Sequence, residues 1–329
     1  MVFVDVAKAA RPNDYKWAEL PFYKDGEPYG GERLQGQNGA DDNRLQDQDA
    51  GGQKDVRVKP EHDMASLRSG RPLWGITMLA AGSMRFRWNE TNPNRDKFLA
   101  ALCARYGNKS VVPLELIHSQ KVLEARAAGD THGLQGDGII TQNAALVPVV
   151  TAADCVPLYF YDCGTGAFGA AHSGWKGTGI AARVVQEMAR KYGSKPRDIL
   201  AAIGPHIHDC CYTVDGERAK YFCDNFGSDC VREVLQDRNG GAFGANQKTS
   251  QGQNGGAAAG QKYALSLLRA NLNCLSAAGV LEENIVAAKN CTACDARFGS
   301  FRRQAAALDV PQEEKSRLFT TQAAFVIIE

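Results

Sequence analysis

Apolar and polar positions alternate along this chain in ways that separate helices from strands. At 94–106, Phe98, Leu99 and Leu102 share one helical face and Gly107 stops the run. At 177–192, Ile180, Val184 and Met188 recur four apart, and Gly193 follows as a C-terminal cap. A third helix is predicted over 263–278, ending at Gly279. Strands are predicted at 111–117, 139–141, 145–151, 156–161, 167–171, 199–203, 285–288 and 319–328. Most of these are too apolar to leave one face in water, which predicts sheets covered on both sides. Hairpin-like pairs mixed with helical crossovers predict an α+β fold, mixed β-sheets flanked by helices, in preference to a regular doubly wound one.

Two stretches break the pattern. Residues 30–54 and 236–261 are rich in Gly, Gln, Asn and Ala and poor in branched or aromatic side chains, so neither can offset its chain entropy by burial. Both are predicted to be mobile loops.

Composition adds exclusions. Lys plus Arg (38) nearly equals Asp plus Glu (37), so no whole-molecule field favours nucleic acid or an anionic membrane. No apolar run reaches membrane-spanning length, and the start carries Asp5 within its apolar stretch, unlike a signal peptide. The expected compartment is the cytosol. Ten cysteines without regular spacing then read as small buried hydrophobes more than as disulfide partners.

Candidate chemistry concentrates where apolar runs meet turns. His118 ends Leu-Glu-Leu-Ile-His, Cys155 follows Thr-Ala-Ala-Asp154, and His172 sits in Ala-His-Ser-Gly-Trp-Lys. Two imidazoles and a thiolate on a zinc ion leave its fourth position open, as catalytic zinc requires. Each residue alone has a plainer reading, an inert buried thiol or a hydrogen-bonded histidine. Asp154 should raise the Cys155 thiol unless a cation or metal offsets its charge. The Ser173–Gly179 stretch, with glycines at 174, 177 and 179, opens the 180s helix; its amides and Lys176 form a possible phosphate cradle, against the alternative of a turn with Trp175 packed in the core. His132, His206 and His208 are weaker rival ligands, and Cys291-Thr-Ala-Cys294 is a lone C-x-x-C without a second pair.

Taken together, Leu114–His118–Ser-Gln-Lys, Asp137-Gly-Ile-Ile-Thr, Thr151-Ala-Ala-Asp154-Cys155-Val-Pro157, Ala171-His172-Ser-Gly-Trp-Lys-Gly, Ile203-Gly-Pro-His206 and Asn290-Cys-Thr292 to Ser300-Phe-Arg302-Arg303 resemble, in order, the YfiH/laccase-domain family. The resemblance runs from about Gly75 to the C-terminus, which implies an N-terminal extension over 1–74 with a low-complexity loop and a catalytic domain over 75–329 interrupted by the low-complexity stretch near 236–261. It implies an α+β fold, a zinc held by His118, Cys155 and His172, and purine nucleoside phosphorolysis or adenosine deamination, with purine nucleosides and phosphate as partners. It also implies that Lys176, Arg302 and Arg303 hold phosphate or the nucleoside, with Cys155 and His172 in the catalytic machinery. The chain departs from the family pattern at Leu79, where Arg is usual, at Ser266, where Asp is usual, and around Thr320-Thr321-Gln322. The alternatives are a metal-free Cys155–His172 hydrolase or deamidase and a catalytically silent binding protein. Copper-dependent phenol oxidation, which the family's older name of multicopper polyphenol oxidase implies, needs more histidines than the six present.

Overall fold

The computed structural model describes residues 1–9, 17–25, 27–29, 70–107, 109–234, 261–315 and 317–329. The two low-complexity stretches, 30–54 and 236–261, lie outside these apart from Gln261. Two sheets dominate. In the seven-stranded sheet the order is Val2–Val4, Ile285–Ala288, Ile199–Ile203, Val156–Asp162, Phe168–Ser173, Gly138–Thr141 and Val122–Glu124. In the five-stranded sheet it is Trp17–Pro21, Pro72–Thr77, Gln322–Ile328, Leu146–Ala152 and Ser110–Pro113. Both sheets mix parallel and antiparallel pairs, as the α+β expectation required.

Side chains explain why the strands are apolar throughout. Along Val156–Asp162, Leu158 and Phe160 face the helices Ile180–Tyr192, Gly216–Phe226 and Leu267–Ala277, while Tyr159 and Tyr161 face the second sheet. Ile199, Ala201 and Ile203 alternate in the same way with Leu200 and Ala202. On the five-stranded sheet, Ala324, Val326 and Ile328 meet the first sheet, whereas Ala323, Phe325 and Ile327 meet helix Pro93–Tyr106 through Phe98 and Leu102. The layers are therefore helix, sheet, sheet, helix.

Several elements differ from their expected bounds. The 263–278 run divides into strand Tyr263–Leu265 and helix Leu267–Ala277, with the Ser266 hydroxyl accepting from Arg269 N at 3.2 Å as the N-cap. An Asp there would cap the helix in the same way, so this departure from the family pattern keeps the local structure. The helix after the glycine-rich turn starts at Ile180, because Gly179 has φ 53° and cannot begin it. The 111–117 run is a strand only over Ser110–Pro113. Strand Pro72–Thr77 runs through residue 74, and Val2–Val4 and Trp17–Pro21 are strands of the two main sheets. These N-terminal strands are too short, or too interrupted by Glu19 and Pro21, to show a period. Among the described residues no helix is long and apolar enough to cross a membrane.

Candidate metal centre and cavity

The turn between Leu146–Ala152 and Val156–Asp162 carries the chain from one sheet to the other, and Asp154 and Cys155 lie in it. Asp154 makes the crossing with φ 77°, a left-handed conformation that side chains such as Asp tolerate best. Its carboxylate accepts from Thr292 Oγ1 and from the Arg302 backbone N–H, both at 2.6 Å, which over-determines the strained residue. Pro157 is paired with His172 across the antiparallel ladder, so the Cys155 and His172 side chains meet beside the strand end. His118 completes the group, also with positive φ, at 58°. The ligand atoms of His118, Cys155 and His172 all lie within 4.8 Å of one another.

A fourth residue, one the sequence did not single out for chemistry, holds the first three. Asp137 is fully buried at the start of the Gly138–Thr141 strand. Its Oδ1 lies 3.0 Å from His172 Nδ1 and accepts from His118 N at 3.0 Å; its Oδ2 accepts from Ser119 N and Oγ, each at 2.7 Å. Burial alone would raise its pKa, but the bonds from His172 and Ser119 outweigh that and keep it below the usual carboxylate range. An ionised Asp137 holds a proton on His172 Nδ1, so Nε2 is the nitrogen that would bind a metal on releasing its own proton. Burial opposes ionisation of Cys155 as well; the His172 charge and hydrogen bonds from both imidazoles reverse this and hold the thiol below its ordinary value. His172 is raised by the Cys155 thiolate and Asp137 against its own burial. The predicted effect of Asp154 on the thiol is thus overridden by the two imidazoles.

These residues fit a metal ion. A soft thiolate and two imidazoles converge, one imidazole is oriented by a buried carboxylate, and Gly174 lets them approach: a Cβ there would lie 3.1 Å from both Cys155 Sγ and His118 Cδ2.

All three open into a cavity of about 530 Å³. Phe86, Trp175, Tyr212, Phe301 and Phe319 supply flat apolar walls, and Arg85, Arg87, Arg218 and Arg302 supply positive charge. Arg85 pairs with Glu90 at 3.1 Å, and Arg87 lies 3.9 Å from Glu115. Arg218 instead stacks 4.3 Å from the Trp175 ring centroid and Arg302 lies 5.6 Å from that of Tyr212. Among the described residues no carboxylate pairs with either of these two guanidinium groups.

Other expected site residues fall elsewhere. Lys176 is exposed and outside the cavity lining, its Nζ 5.4 Å from the Trp175 ring centroid. The glycines beside it serve close packing more than a phosphate cradle, since a Cβ on Gly177 would meet the Ser119 carbonyl at 2.6 Å. Arg303 is also turned away. Its guanidinium donates to the carbonyls of Thr292 at 2.6 Å, Ala293 at 3.1 Å and Asp295 at 3.2 Å and to that of Phe298, bracing the 292–298 loop. Leu79 does not line the cavity. His132 is exposed beside Trp88, and His206 is buried with Nδ1 2.7 Å from the Gly204 carbonyl.

This fold and site define a laccase-domain protein. The family described as "Multi-copper polyphenol oxidoreductase laccase" matches residues 88–308, and the chain belongs to it. Within it, the chain is 38% identical over 170 residues to purine nucleoside phosphorylase YlmD of Geobacillus stearothermophilus, covering 51% of this chain and 54% of that protein. It is 33% identical over 170 residues to adenosine deaminase RL5 of an unknown prokaryotic organism, covering 51% of this chain and 56% of that protein. The match thus spans about half the length of these curated relatives. The crystal structure of YlmD from Geobacillus stearothermophilus superposes with a TM-score of 0.61 at 25% identity, covering 78% of this chain and 92% of that one.

Proposed function

We propose that this chain is a zinc-dependent purine nucleoside phosphorylase. One observation carries the reading: the His118, Cys155 and His172 donors and the Arg218 and Arg302 guanidinium groups line the same cavity. A purine nucleoside offers a flat, apolar base and a neutral sugar, which suit the aromatic walls; phosphate is a dianion that suits two guanidinium groups with no carboxylate partner among the described residues. The relatives named purine nucleoside phosphorylase support the same assignment.

His118, Cys155 and His172 would hold zinc, which when bound supplies Lewis acidity at the cavity wall. Arg218 and Arg302 orient phosphate so that one of its oxygens bonds to the anomeric carbon as the glycosidic C–N bond breaks. The purine leaves with the bonding electron pair and takes the proton of hydrogen phosphate, so charge and atoms balance. Trp175, Tyr212 and Phe301 shield the reacting carbon from water, which favours phosphate over hydrolysis. Adenosine deamination is a second activity of the same site, supported by the relative named for it.

The test is product identity. Inosine and phosphate should yield hypoxanthine and ribose 1-phosphate in equal amounts; free ribose as the sole sugar product would refute phosphorolysis.

A metal-free reading has one observation in its favour. Cys155, His172 and Asp137 form a nucleophile–base–orienter series, with the last link at 3.0 Å. Full activity in chelated, metal-free protein together with covalent labelling of Cys155 by a substrate analogue would favour it.

A further inference from the structure

The lone C-x-x-C of the sequence acquires a second pair in the fold. Strands Ile199–Ile203 and Ile285–Ala288 are parallel neighbours, and the chain continuing from each stays alongside the other, with a parallel bridge between His206 and Cys291. This brings Cys210 and Cys211 against Cys291 and Cys294, with all four sulfurs within 4.8 Å of one another. Individual separations are 3.8 Å for Cys210–Cys211, 3.7 Å for Cys210–Cys294 and 3.2 Å for Cys211–Cys294. A zinc ion with bonds of about 2.3 Å to four thiolates sets sulfur–sulfur edges of about 3.8 Å. The cluster is close to that size.

Two further features point to thiolate ligands. The His208 N–H points at Cys291 Sγ from 3.4 Å, and the backbone N–H groups of Ala293 and Cys294 also face this sulfur, as donors placed to hold a negative sulfur would. A single disulfide would also use only two of the four sulfurs. It would leave the others crowded against it.

We propose that Cys210, Cys211, Cys291 and Cys294 form a second, structural zinc site, separate from the His118–Cys155–His172 centre. Four protein ligands close the coordination shell, so this site has no open position for chemistry. Its place in the fold gives it a purpose. The 204–212 segment carries Ile207 and Tyr212 into the cavity wall, and the 289–294 segment carries Thr292, whose hydroxyl holds Asp154. A tetrathiolate zinc staples these segments together and so fixes the wall behind the first site. The inference is independent of the reaction proposed above.

The test uses the full chain, purified in reductant, loaded with zinc and freed of excess metal. Wild-type protein should hold about two zinc ions per chain and the Cys155→Ser/His172→Ala variant about one. Adding Cys211→Ser and Cys294→Ser to that variant should remove the remainder. In wild-type protein, peptide mapping after alkylation should show Cys210, Cys211, Cys291 and Cys294 protected until a chelator is added, a readout that holds even if a variant fails to fold. The proposal is overturned if these cysteines alkylate freely in zinc-loaded wild-type protein, if they are found as disulfides there, or if the folded Cys155→Ser/His172→Ala variant binds no zinc.

Discussion

Asp137 Oδ1 lies 3.0 Å from His172 Nδ1, and the same carboxylate receives the His118 and Ser119 backbone N–H groups. One buried anion therefore sets both the tautomer of one ligand and the backbone position of another. Asp137→Asn keeps the size but removes the charge that fixes the proton on Nδ1. Zinc affinity measured by chelator competition should fall ~10–100-fold, the usual cost of losing an outer carboxylate partner. An unchanged affinity would show that His172 is oriented by packing alone.

Gly174 should not tolerate a methyl group. The added Cβ would press on Cys155 Sγ and His118 Cδ2 at 3.1 Å, so one ligand must move by a few tenths of an ångström. Gly174→Ala should weaken zinc binding by about tenfold while circular dichroism remains that of the wild type. A variant with wild-type zinc affinity would mean that the ligands can yield without loss.

The cavity arginines separate two ideas about phosphate. Arg218→Ala should raise the KM for phosphate ~10–100-fold, corresponding to the loss of a charged hydrogen bond worth about 1.5–3 kcal/mol, with a smaller effect on the KM for inosine. Lys176→Ala should leave both near wild type because Lys176 lies outside the cavity. Steady-state kinetics with each substrate varied would check this; the reverse ranking would restore the glycine-rich turn as the phosphate site.

Acid sensitivity has a named contributor at the sheet edge. Glu124 is held by Arg126 at 2.9 Å and by Lys191 at 2.8 Å, and these bonds lower its pKa from 4.5 to about 2 against the effect of burial. Because the folded value is depressed, the stability it contributes is present above the unfolded value and is lost as pH falls through the folded one. Lys191 belongs to helix Ile180–Tyr192, so protonation loosens that helix from strand Val122–Glu124. Glu124→Gln should be less stable at neutral pH, and its Tm should fall less than that of the wild type between pH ~5 and ~2. Parallel Tm curves over that range would exclude this contribution.

What the sequence revealed depended on periodicity and on clustering within short segments. His118, Cys155 and His172 each sit where an apolar run meets a turn, so their contexts stood out. Asp137 did not, being one acid in a polar turn; its position directly before the apolar Gly-Ile-Ile run was the available sign that it would be buried. Arg85, Arg87 and Arg218 were missed because they reach the cavity from a loop and from helix Gly216–Phe226, which carries only Ala219 and Phe222 as buried residues and so shows a faint period. Between Arg302 and Arg303 the sequence had no means to choose. They are adjacent at the start of a short helix, where one step of about 100° sends one side chain into the cavity and the other toward the 292–298 carbonyls. Pairing of Cys210 and Cys211 with the C-x-x-C depended on sheet register between strands more than 80 residues apart, which local pattern does not encode.

The central claim is that bound zinc and phosphate act together in one cavity. The most direct measurement is hypoxanthine release from inosine by the same protein sample, metal-stripped and then reconstituted with zinc, each with and without phosphate. Release should require both additions, and Cys155→Ser should abolish it. Equal release from the stripped and reconstituted samples, or release that does not depend on phosphate, would contradict the account.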